Sequence, residues 1–329
     1  MKNRLLVTGG DGFLGSHVVR EALKDGYTVR AFIQPGRNLD VLDGLPVERF
    51  EGDLLDKDDI KSALQDCQML IHTAGTTAVF PSQASWIWEI NYHAVVDLAQ
   101  AAREAGITRF VHISSACTFG YGSKESPGDE NSPYLGAKFH LDYMDSKRKA
   151  QEYLLDEYKH NELPVIIINP TYMIGEYDTK PGSGQMVIAA AEHQVPGFTE
   201  GGKCVVYVGD VARAAVNALK MGRAGECYIT GGQNLSYQEF FALITHIAGT
   251  RDLAIKIPRQ LAVLSGFLLE QAAKLSGKPP RLTAVMARMS SDGHYYTSSK
   301  ALRELALPQT TPEVAIQKAI EYFRKIGYL

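Results

Sequence analysis

A tyrosine and a lysine four positions apart form the first pair of side chains that can move a proton. Tyr143 and Lys147 lie in a segment of helical composition, so their spacing places both side chains on one helix face. An unperturbed tyrosine has a pKa of about 10, and a close cation lowers that pKa by favouring the phenolate. The pair therefore predicts acid–base chemistry on an alcohol or a carbonyl. Because this spacing is common by chance, its weight depends on other residues.

A serine supplies that support. Ser115 stands 28 residues before Tyr143, where a predicted strand ends in the letters VHISSA. A hydroxyl at a strand end faces the ligand crevice of a parallel sheet, so Ser115 can hold a substrate carbonyl or alcohol by hydrogen bonding. The neighbouring Ser114 is interpreted as stabilising the loop instead. Ser115, Tyr143 and Lys147 are therefore the predicted catalytic residues.

A glycine-rich run follows the first predicted strand and opens the first helix. Glycine lets the backbone turn tightly and approach a pyrophosphate, whose charge is met by free amides and by the positive end of the helix dipole. A plain glycine-rich turn is the alternative, but the position after an amino-terminal strand favours a dinucleotide site. The predicted cofactor-binding residues of this run are Thr8, Gly9, Gly12, Phe13, Leu14 and Gly15.

The end of the second predicted strand bears on the choice of dinucleotide. A site selective for NAD(H) usually has a carboxylate there, but this chain has Ile33 and Gln34. No acid would repel a 2′-phosphate, and Arg37 in the following loop could pair with one. Arg37 could also be a solvated loop charge. The sequence favours NADP(H) and leaves NAD(H) possible.

Two further strand ends complete the predicted cofactor site. Asp53 could accept a hydrogen bond from the adenine amino group while Leu54 packs near the base; alternatively, Asp53 caps the helix that begins near Asp56. His72, which ends the fourth strand, is interpreted as structural. The small residues after it would let the backbone lie against the cofactor: Thr73, Ala74 and Gly75.

Alternating strand and helix patterns position these residues. The predicted strands are residues 4–7, 28–33, 47–51, 69–72, 110–114 and 165–169, and helices such as 16–25 and 95–105 separate them. This pattern predicts an α/β fold with a doubly wound parallel sheet, the NAD(P)-binding Rossmann fold, and a ligand crevice at the carboxyl ends of the strands. We assign this domain to residues 1–170, with a return of the chain at 206–221.

Residues 171–329 are assigned mainly to a smaller, mostly helical lobe that binds substrate. Its predicted helices are residues 210–221, 236–248, 259–275 and 312–326. The apolar stretch 261–275 is compatible with covering an apolar substrate and equally with an ordinary core helix. The longest apolar run, 261–269, is interrupted by Ser265 and Gly266 and is too short for a membrane span.

Composition limits the kind of partner. The 34 basic and 37 acidic residues are well mixed and give a net charge of −3, so neither nucleic acid nor an anionic membrane is indicated. The four cysteines form no CxxC or Cys/His cluster, so no metal site or disulfide framework is expected. The amino terminus has too few apolar residues for a signal-peptide core. We expect a cytoplasmic protein that acts on a small molecule.

These motifs together resemble the extended short-chain dehydrogenases/reductases, in the branch of dihydroflavonol-reductase-like and hopanoid-associated epimerase-like proteins. The resemblance covers nearly the whole chain and rests on TGGDGFLG at 8–15, Asp53-Leu54, HTAG at 72–75, Asn91, SSACTFG at 114–120, YMDSK at 143–147 and INPTYMIG at 168–175. It implies the catalytic roles described above and a nicotinamide bordered by the backbone from Pro170 to Met173. It also makes a homodimer possible.

The resemblance leaves three functions to separate. Residues 202–207 lack the Arg-Asp pair that often meets the diphosphate in nucleotide-sugar enzymes, and Ala116 and Cys117 after Ser115 offer no carboxylate for dehydration. We therefore predict NADPH-dependent reduction of a ketone or aldehyde on a small, partly apolar substrate. The alternatives are an NAD-dependent nucleotide-sugar epimerase or dehydratase and a non-catalytic NADP-sensing protein.

Overall fold

A parallel sheet of seven strands forms the centre of the computed structural model, which describes residues 3–252, 254–276, 280 and 282–329. Counted along the chain, its strands are β1 (Arg4–Thr8), β2 (Thr28–Ile33), β3 (Glu48–Glu51), β4 (Met69–His72), β5 (Arg109–Ile113), β6 (Val165–Pro170) and β10 (Cys227–Thr230). Their order across the sheet is β10-β6-β5-β4-β1-β2-β3. The six predicted strands and the doubly wound topology are confirmed, and β10 is an additional strand that the sequence did not suggest.

Helices cover both faces of this sheet. Those between its first six strands are α1 (Phe13–Lys24), α2 (Lys57–Leu64), α3 (Ser85–Trp88), α4 (Ala94–Glu104) and α5 (Asp142–Asn161). On β1, Leu5 and Val7 enter the cluster that packs under α1, while Leu6 enters the opposite cluster under α2, α4 and α5. Successive side chains of a strand point to opposite faces, so a sheet covered on both sides needs apolar residues in nearly every position.

The strand order reverses between β1 and β4, which pair in parallel with Thr8 opposite His72. In open α/β sheets a ligand binds at such a point, outside the carboxyl ends of the strands. The fold therefore places the crevice beside Thr8 and His72.

The remaining elements form the second lobe and its return to the sheet. The further strands are β7 (Tyr172–Ile174), β8 (Gly197–Phe198), β9 (Gly202–Tyr207), β11 (Gln233–Ser236), β12 (Ile255–Lys256) and β13 (Gly293–His294). The further helices are α6 (Gly184–Ala191), α7 (Val208–Met221), α8 (Tyr237–Ala248), α9 (Arg259–Ser276), α10 (Ala284–Met289), α11 (Ser299–Leu305) and α12 (Pro312–Lys325). Strand β9 joins β7, β11 and β13 in one sheet, and β8 pairs with β12.

The lobe has its own core, in which α6, α8 and α12 pack around Val187, Phe240 and Ile320. Helix α7 instead packs against α1 under the central sheet, and β10 then extends that sheet next to β6. The chain therefore leaves the sheet after β6 and re-enters it at Cys227.

Helix α9 forms where the sequence predicts it, but it is not a core helix. Leu261, Leu264 and Leu268 are exposed, whereas the buried side of the helix carries small residues such as Ala262. No helix within the described ranges is both long and apolar enough to cross a membrane. Nor does this part of the chain contain a group of three or more metal-ligating side chains.

Candidate functional site

The glycine loop after β1 has the shape of a phosphate cradle. Gly9 adopts a positive φ of 66°, and a Cβ atom added there would lie 2.9 Å from Cα of Ala74. A Cβ on Gly15 would overlap the carbonyl oxygen of Gly9, so α1 could not begin so close to β1 with any other residue. Gly12 caps α1 without a side-chain hydrogen bond, and the first-turn amides of Phe13 and Leu14 have no partner within the helix. These amides and the helix dipole fit the pyrophosphate of a dinucleotide.

The loop after β4 lies directly against this cradle. The Thr73 hydroxyl donates a hydrogen bond of 2.6 Å to the carbonyl oxygen of Thr8, and the Thr8 hydroxyl lies 2.6 Å from Nδ1 of His72. Thr73 and Ala74 therefore fix the distance between the two loops that flank the crevice.

Asp53 and Leu54 follow β3, on the far side of the glycine loop. Asp53 Oδ1 accepts a hydrogen bond of 2.9 Å from the Leu55 amide. Asp56, not Asp53, caps α2 by accepting from the amides of Asp58 and Asp59. The capping alternative for Asp53 is therefore wrong.

Arg37 is exposed in the loop after β2. Its Nε donates a hydrogen bond of 3.0 Å to Oε1 of Gln34. Burial raises the pKa of Asp11 in the glycine loop, and the positive charge of Arg37 opposes that rise, so the arginine is close enough to act on this loop. The loop thus presents a cation beside the predicted pyrophosphate cradle.

Strand β5 and helix α5 bring the three predicted catalytic side chains to one crevice. Ser115 follows β5 and begins a short 3-10 turn in which its hydroxyl accepts a hydrogen bond of 3.3 Å from the Cys117 amide. Tyr143 and Lys147 lie one turn apart on α5. Lys147 Nζ donates a hydrogen bond of 3.2 Å to the carbonyl oxygen of Ile113, the last residue of β5. This bond ties the lysine to the strand that carries Ser115.

The surroundings shift the pKa values of both ionisable groups. Partial burial raises the pKa of Tyr143 above its usual 10, and a hydrogen bond with Ser115 acts in the opposite direction. Burial lowers the pKa of Lys147 to about 8. Tyr143 is therefore a neutral phenol at pH 7. Lys147 is a cation at pH 7 and loses its proton near pH 8.

Gly75 and Asn91 shape the wall beside Lys147. Asn91 lies in a short π-helical turn between α3 and α4, where its amide group exchanges hydrogen bonds of 2.9 and 3.0 Å with the backbone of Thr76. A Cβ on Gly75 would lie 3.0 Å from Nζ of Lys147 and 3.1 Å from Oδ1 of Asn91. Glycine at position 75 lets the β4 loop pass close to the lysine.

A buried polar network, which the sequence did not reveal, holds the Ser115 loop in place. The Asn169 amide donates to the carbonyl oxygen of Ser115 at 3.1 Å and to Oε1 of Gln151 at 2.7 Å. The Thr118 hydroxyl lies 2.8 Å from the same Ser115 carbonyl and 3.0 Å from Gln151. Gln151 stands four residues after Lys147 on α5. This spacing places both side chains on one helix face and is the signal in the sequence that could have identified Gln151.

An apolar wall borders Tyr143 and Cys117 on the side of the second lobe. It consists of a small cluster around Phe139, Leu141 and Met144, against which Val285 and Met289 of α10 pack. Burial raises the pKa of the Cys117 thiol, which therefore stays neutral. In the sequence Cys117 stood out only because it is not a carboxylate. In the structure its amide donates to the Ser115 hydroxyl, and its side chain packs against the same apolar cluster as Tyr143.

The remaining predicted cofactor residues lie beyond β6. Pro170 ends β6, next to β5, and Met173 lies on β7 with its carbonyl oxygen accepting a hydrogen bond of 2.6 Å from Ser183. Both are partly or fully buried near the carboxyl edge of the sheet. The structure thus places the predicted residues along one edge, with Arg37 after β2 and with Asp53 and Leu54 after the outermost strand, β3.

Two stacked histidines lie beneath this edge. His72 of β4 and His112 of β5 are register neighbours, and their rings stack with centroids 5.3 Å apart. Burial lowers the pKa of His72 to about 3 and that of His112 well below its usual value, so both rings are uncharged. Neither ring nitrogen of His112 has a hydrogen-bond partner.

Comparisons with known proteins agree with this geometry. A model of the NAD dependent epimerase/dehydratase family matches residues 5–231. A Synechocystis sp. protein provisionally named a dihydroflavonol 4-reductase is 30% identical over 334 residues, which cover 100% of this chain and 97% of the relative. Sterol demethylase protein B of Methylococcus capsulatus is 30% identical over 329 residues, or 98% and 99% of the two chains.

Solved structures show the same fold. The crystal structure of gox2253 superposes with a TM-score of 0.87 and 31% identity over 99% of each chain. A Thermus thermophilus UDP-glucose 4-epimerase in complex with NAD has a TM-score of 0.78, 21% identity and a coverage of 98% and 99%, which shows likeness of fold alone. The crevice geometry, the family model and the relatives of full length together establish that the chain belongs to the NAD-dependent epimerase/dehydratase family and is an NAD(P)-dependent oxidoreductase of the extended short-chain dehydrogenase type.

Proposed function

We propose that the protein reduces a ketone or aldehyde on a small, partly apolar substrate, with NADPH as the hydride donor. The observation that carries this proposal is the placement of Ser115 after β5 and of Tyr143 and Lys147 on α5, with Lys147 hydrogen-bonded to the end of β5 at the crevice. A neutral phenol is the form that can give a proton to an oxygen that gains negative charge.

Each of the three side chains then has a separate task. When bound, the nicotinamide supplies the hydride that reduces the carbonyl carbon. The Ser115 hydroxyl donates a hydrogen bond to the carbonyl oxygen and so stabilises the charge that develops there. Tyr143 gives its proton to that oxygen, and the Lys147 ammonium stabilises the phenolate left behind. The carbonyl oxygen of Ile113 keeps the ammonium in place.

The surroundings of Tyr143 support an apolar substrate. Phe139, Leu141 and Met144 are buried behind it, and the half-buried Val285 and Met289 of the second lobe present apolar surface beside this cluster. Burying apolar substrate surface there is favourable, whereas a sugar would lose hydration without gaining polar partners on this side. The names of the two curated relatives, a reductase and a sterol demethylase protein, are in keeping with such a substrate.

The preference for NADPH rests on the loop after β2. Gln34 stands where an acid would select the free ribose hydroxyls, and Arg37 offers a guanidinium that can pair with a 2′-phosphate. The exposed position of Arg37 leaves it free to turn toward a bound nucleotide, so NADH remains the alternative donor.

The two alternative functions lack a comparable observation. Dehydration needs an acid next to the serine, and the structure has Ala116 and a neutral Cys117 there. To the diphosphate of a nucleotide sugar, strand β9 offers a single cation, Lys203. Its ammonium lies 5.6 Å above the ring of Tyr172. A sensor would not need the three side chains at the crevice.

The direct test is the decay of NADPH absorbance with the purified protein and a panel of ketones and aldehydes, run beside NADH. We expect Tyr143→Phe to lose at least roughly 100-fold in turnover while NADPH binding persists. Tyr158→Phe, at an exposed tyrosine on the same helix, is the matched control and should keep full activity. Turnover that survives Tyr143→Phe would overturn the proposed mechanism. Tight NADPH binding with no oxidation, together with interconversion of nucleotide sugars, would favour the epimerase.

A further inference from the structure

Helix α9 has its large apolar side chains on the outside. Leu261, Leu264 and Leu268 follow one another at spacings of three and four residues and form a stripe, with Phe267 and Leu269 on its flanks. These five side chains are 42 to 58% exposed. A surface helix ordinarily turns such a stripe toward the core.

The inward side of α9 leaves no room for them. Ala262 is buried, and a Cβ on Gly266 would lie 2.6 Å from the backbone of Thr283, which caps α10. Glu270 also faces inward, because its Oε1 accepts a hydrogen bond of 3.0 Å from the Ala284 amide. These contacts fix the rotation of the helix, so the leucine stripe points away from α10.

In the sequence, charged residues flank the stripe and are absent from it. Between Gln260 and Ala273 the only charged residue is the inward-facing Glu270. The wider stretch 251–288 holds seven basic and two acidic residues, a net charge of +5 in a chain whose total is −3. Arg251 and Arg259 are exposed before and at the start of the helix, while Lys256 pairs with Glu200. The even mixing of charge over the whole chain does not extend to this segment.

We propose that α9 binds the surface of an anionic lipid bilayer and lies in the plane of the interface. An apolar stripe without charges fits the boundary between headgroups and acyl chains, and a surrounding excess of lysine and arginine is attracted to anionic headgroups. A second copy of the chain fits less well. A two-fold contact would set this basic segment against itself, and like charges repel.

The position of α9 also links the bilayer to the crevice. Helix α10 lies between them, with α9 packed on one side and with Val285 and Met289 in the apolar cluster that includes Tyr143. A substrate dissolved in the bilayer would need to pass only this short helix to reach the reacting groups. The membrane contact itself stands on the surface of α9 and is independent of the reaction proposed above.

Flotation of the purified full-length protein with lipid vesicles tests this proposal without any turnover. We expect binding to vesicles of phosphatidylcholine mixed with phosphatidylglycerol, weaker binding to phosphatidylcholine alone, and a loss of binding as salt is raised. The double variant Leu264→Gln/Leu268→Gln should lower the bound fraction roughly tenfold or more. Arg251→Gln/Arg259→Gln should lower it mainly at low salt.

The control is Leu55→Gln/Leu302→Gln, which replaces two leucines of similar exposure away from α9 and should leave vesicle binding unchanged. Thermal unfolding shows whether each variant keeps its fold. Absence of wild-type binding to anionic vesicles, or equal losses in the control and α9 variants, would overturn the proposal. A wild-type dimer in sedimentation velocity that the α9 variant dissociates, with no vesicle binding, would assign the stripe to a second copy instead.

Discussion

Lys147 Nζ donates a hydrogen bond of 3.2 Å to the carbonyl oxygen of Ile113, two residues before Ser115. This bond joins α5 to the end of β5 and holds the ammonium at the crevice. Among the described residues, no carboxylate forms an ion pair with Lys147. Because the lysine is buried, its charge is costly, and burial lowers its pKa to about 8. The protein thus keeps a cation that is close to losing its proton.

We predict that carbonyl reduction declines as the pH rises through about 8. Lys147 is protonated below that value and stabilises the phenolate that Tyr143 becomes, whereas above it this cation is lost. The value of kcat/KM should therefore be flat below pH 8 and fall by up to about tenfold per pH unit above it. Lys147→Met should be slow throughout and show no break near pH 8, while Lys149→Met, at an exposed site on the same helix, should keep the wild-type profile. A break that survives in Lys147→Met would assign it to another group.

Gln151 is predicted to position Ser115 without touching substrate. Gln151→Met leaves the buried amide of Asn169 and the hydroxyl of Thr118 without their shared acceptor, so the free energy of unfolding should fall by about 1–3 kcal/mol. The Ser115 loop should shift as well, and kcat should fall roughly tenfold while the KM for NADPH stays unchanged. Steady-state kinetics below the unfolding temperature separate the two effects. Gln100→Met, at an exposed site, serves as the control, and a variant that loses only stability would show that the network has no positioning role.

Arg37 is predicted to select the phosphorylated cofactor. Arg37→Gln should raise the KM for NADPH roughly tenfold or more and leave the KM for NADH unchanged, because only NADPH carries the 2′-phosphate. Gln34→Asp should add a carboxylate that repels this phosphate and favours NADH. Lys24→Gln removes an exposed cation elsewhere on the surface and should change neither value. Equal effects of Arg37→Gln on both cofactors would point to general electrostatic attraction.

We predict that the two stacked histidines make the folded protein less stable in acid. Both have pKa values lowered in the folded state, so below about pH 6.5 the unfolded chain binds protons that the folded protein does not. The free energy of unfolding should therefore fall with decreasing pH, by up to about 1.4 kcal/mol per unit for each histidine. In urea titrations His112→Leu should keep the stability at pH 7, since its ring nitrogens have no partners, and should flatten the acid slope by about one proton. An unchanged slope would mean that His112 does not titrate on unfolding.

Local chemistry in the sequence was sufficient to predict the central sheet. Strands β1, β4, β5 and β6 are buried along nearly their whole length, so apolar runs mark them, whereas the edge strand β3 is largely exposed. The glycines at 9 and 15 are required by close backbone contacts. Gln151 was not predicted because its function depends on Asn169 and Thr118, which only the fold brings near it. The core interpretation of residues 261–275 failed because hydrophobic periodicity marks a face of a helix without saying what covers that face.

The late position of β10 in the chain determines how short a fragment can be and still fold. A fragment ending at residue 170 would leave β6 as an outer strand with an unpaired ladder, although all six of its residues are buried in the intact protein. Such an apolar edge recruits other chains and aggregates. The partner strand β10 arrives only at Cys227, and Leu305 and Leu307 still belong to the core beneath the sheet. The nucleotide-binding half can therefore be expressed or transplanted only together with most of the lobe that follows it.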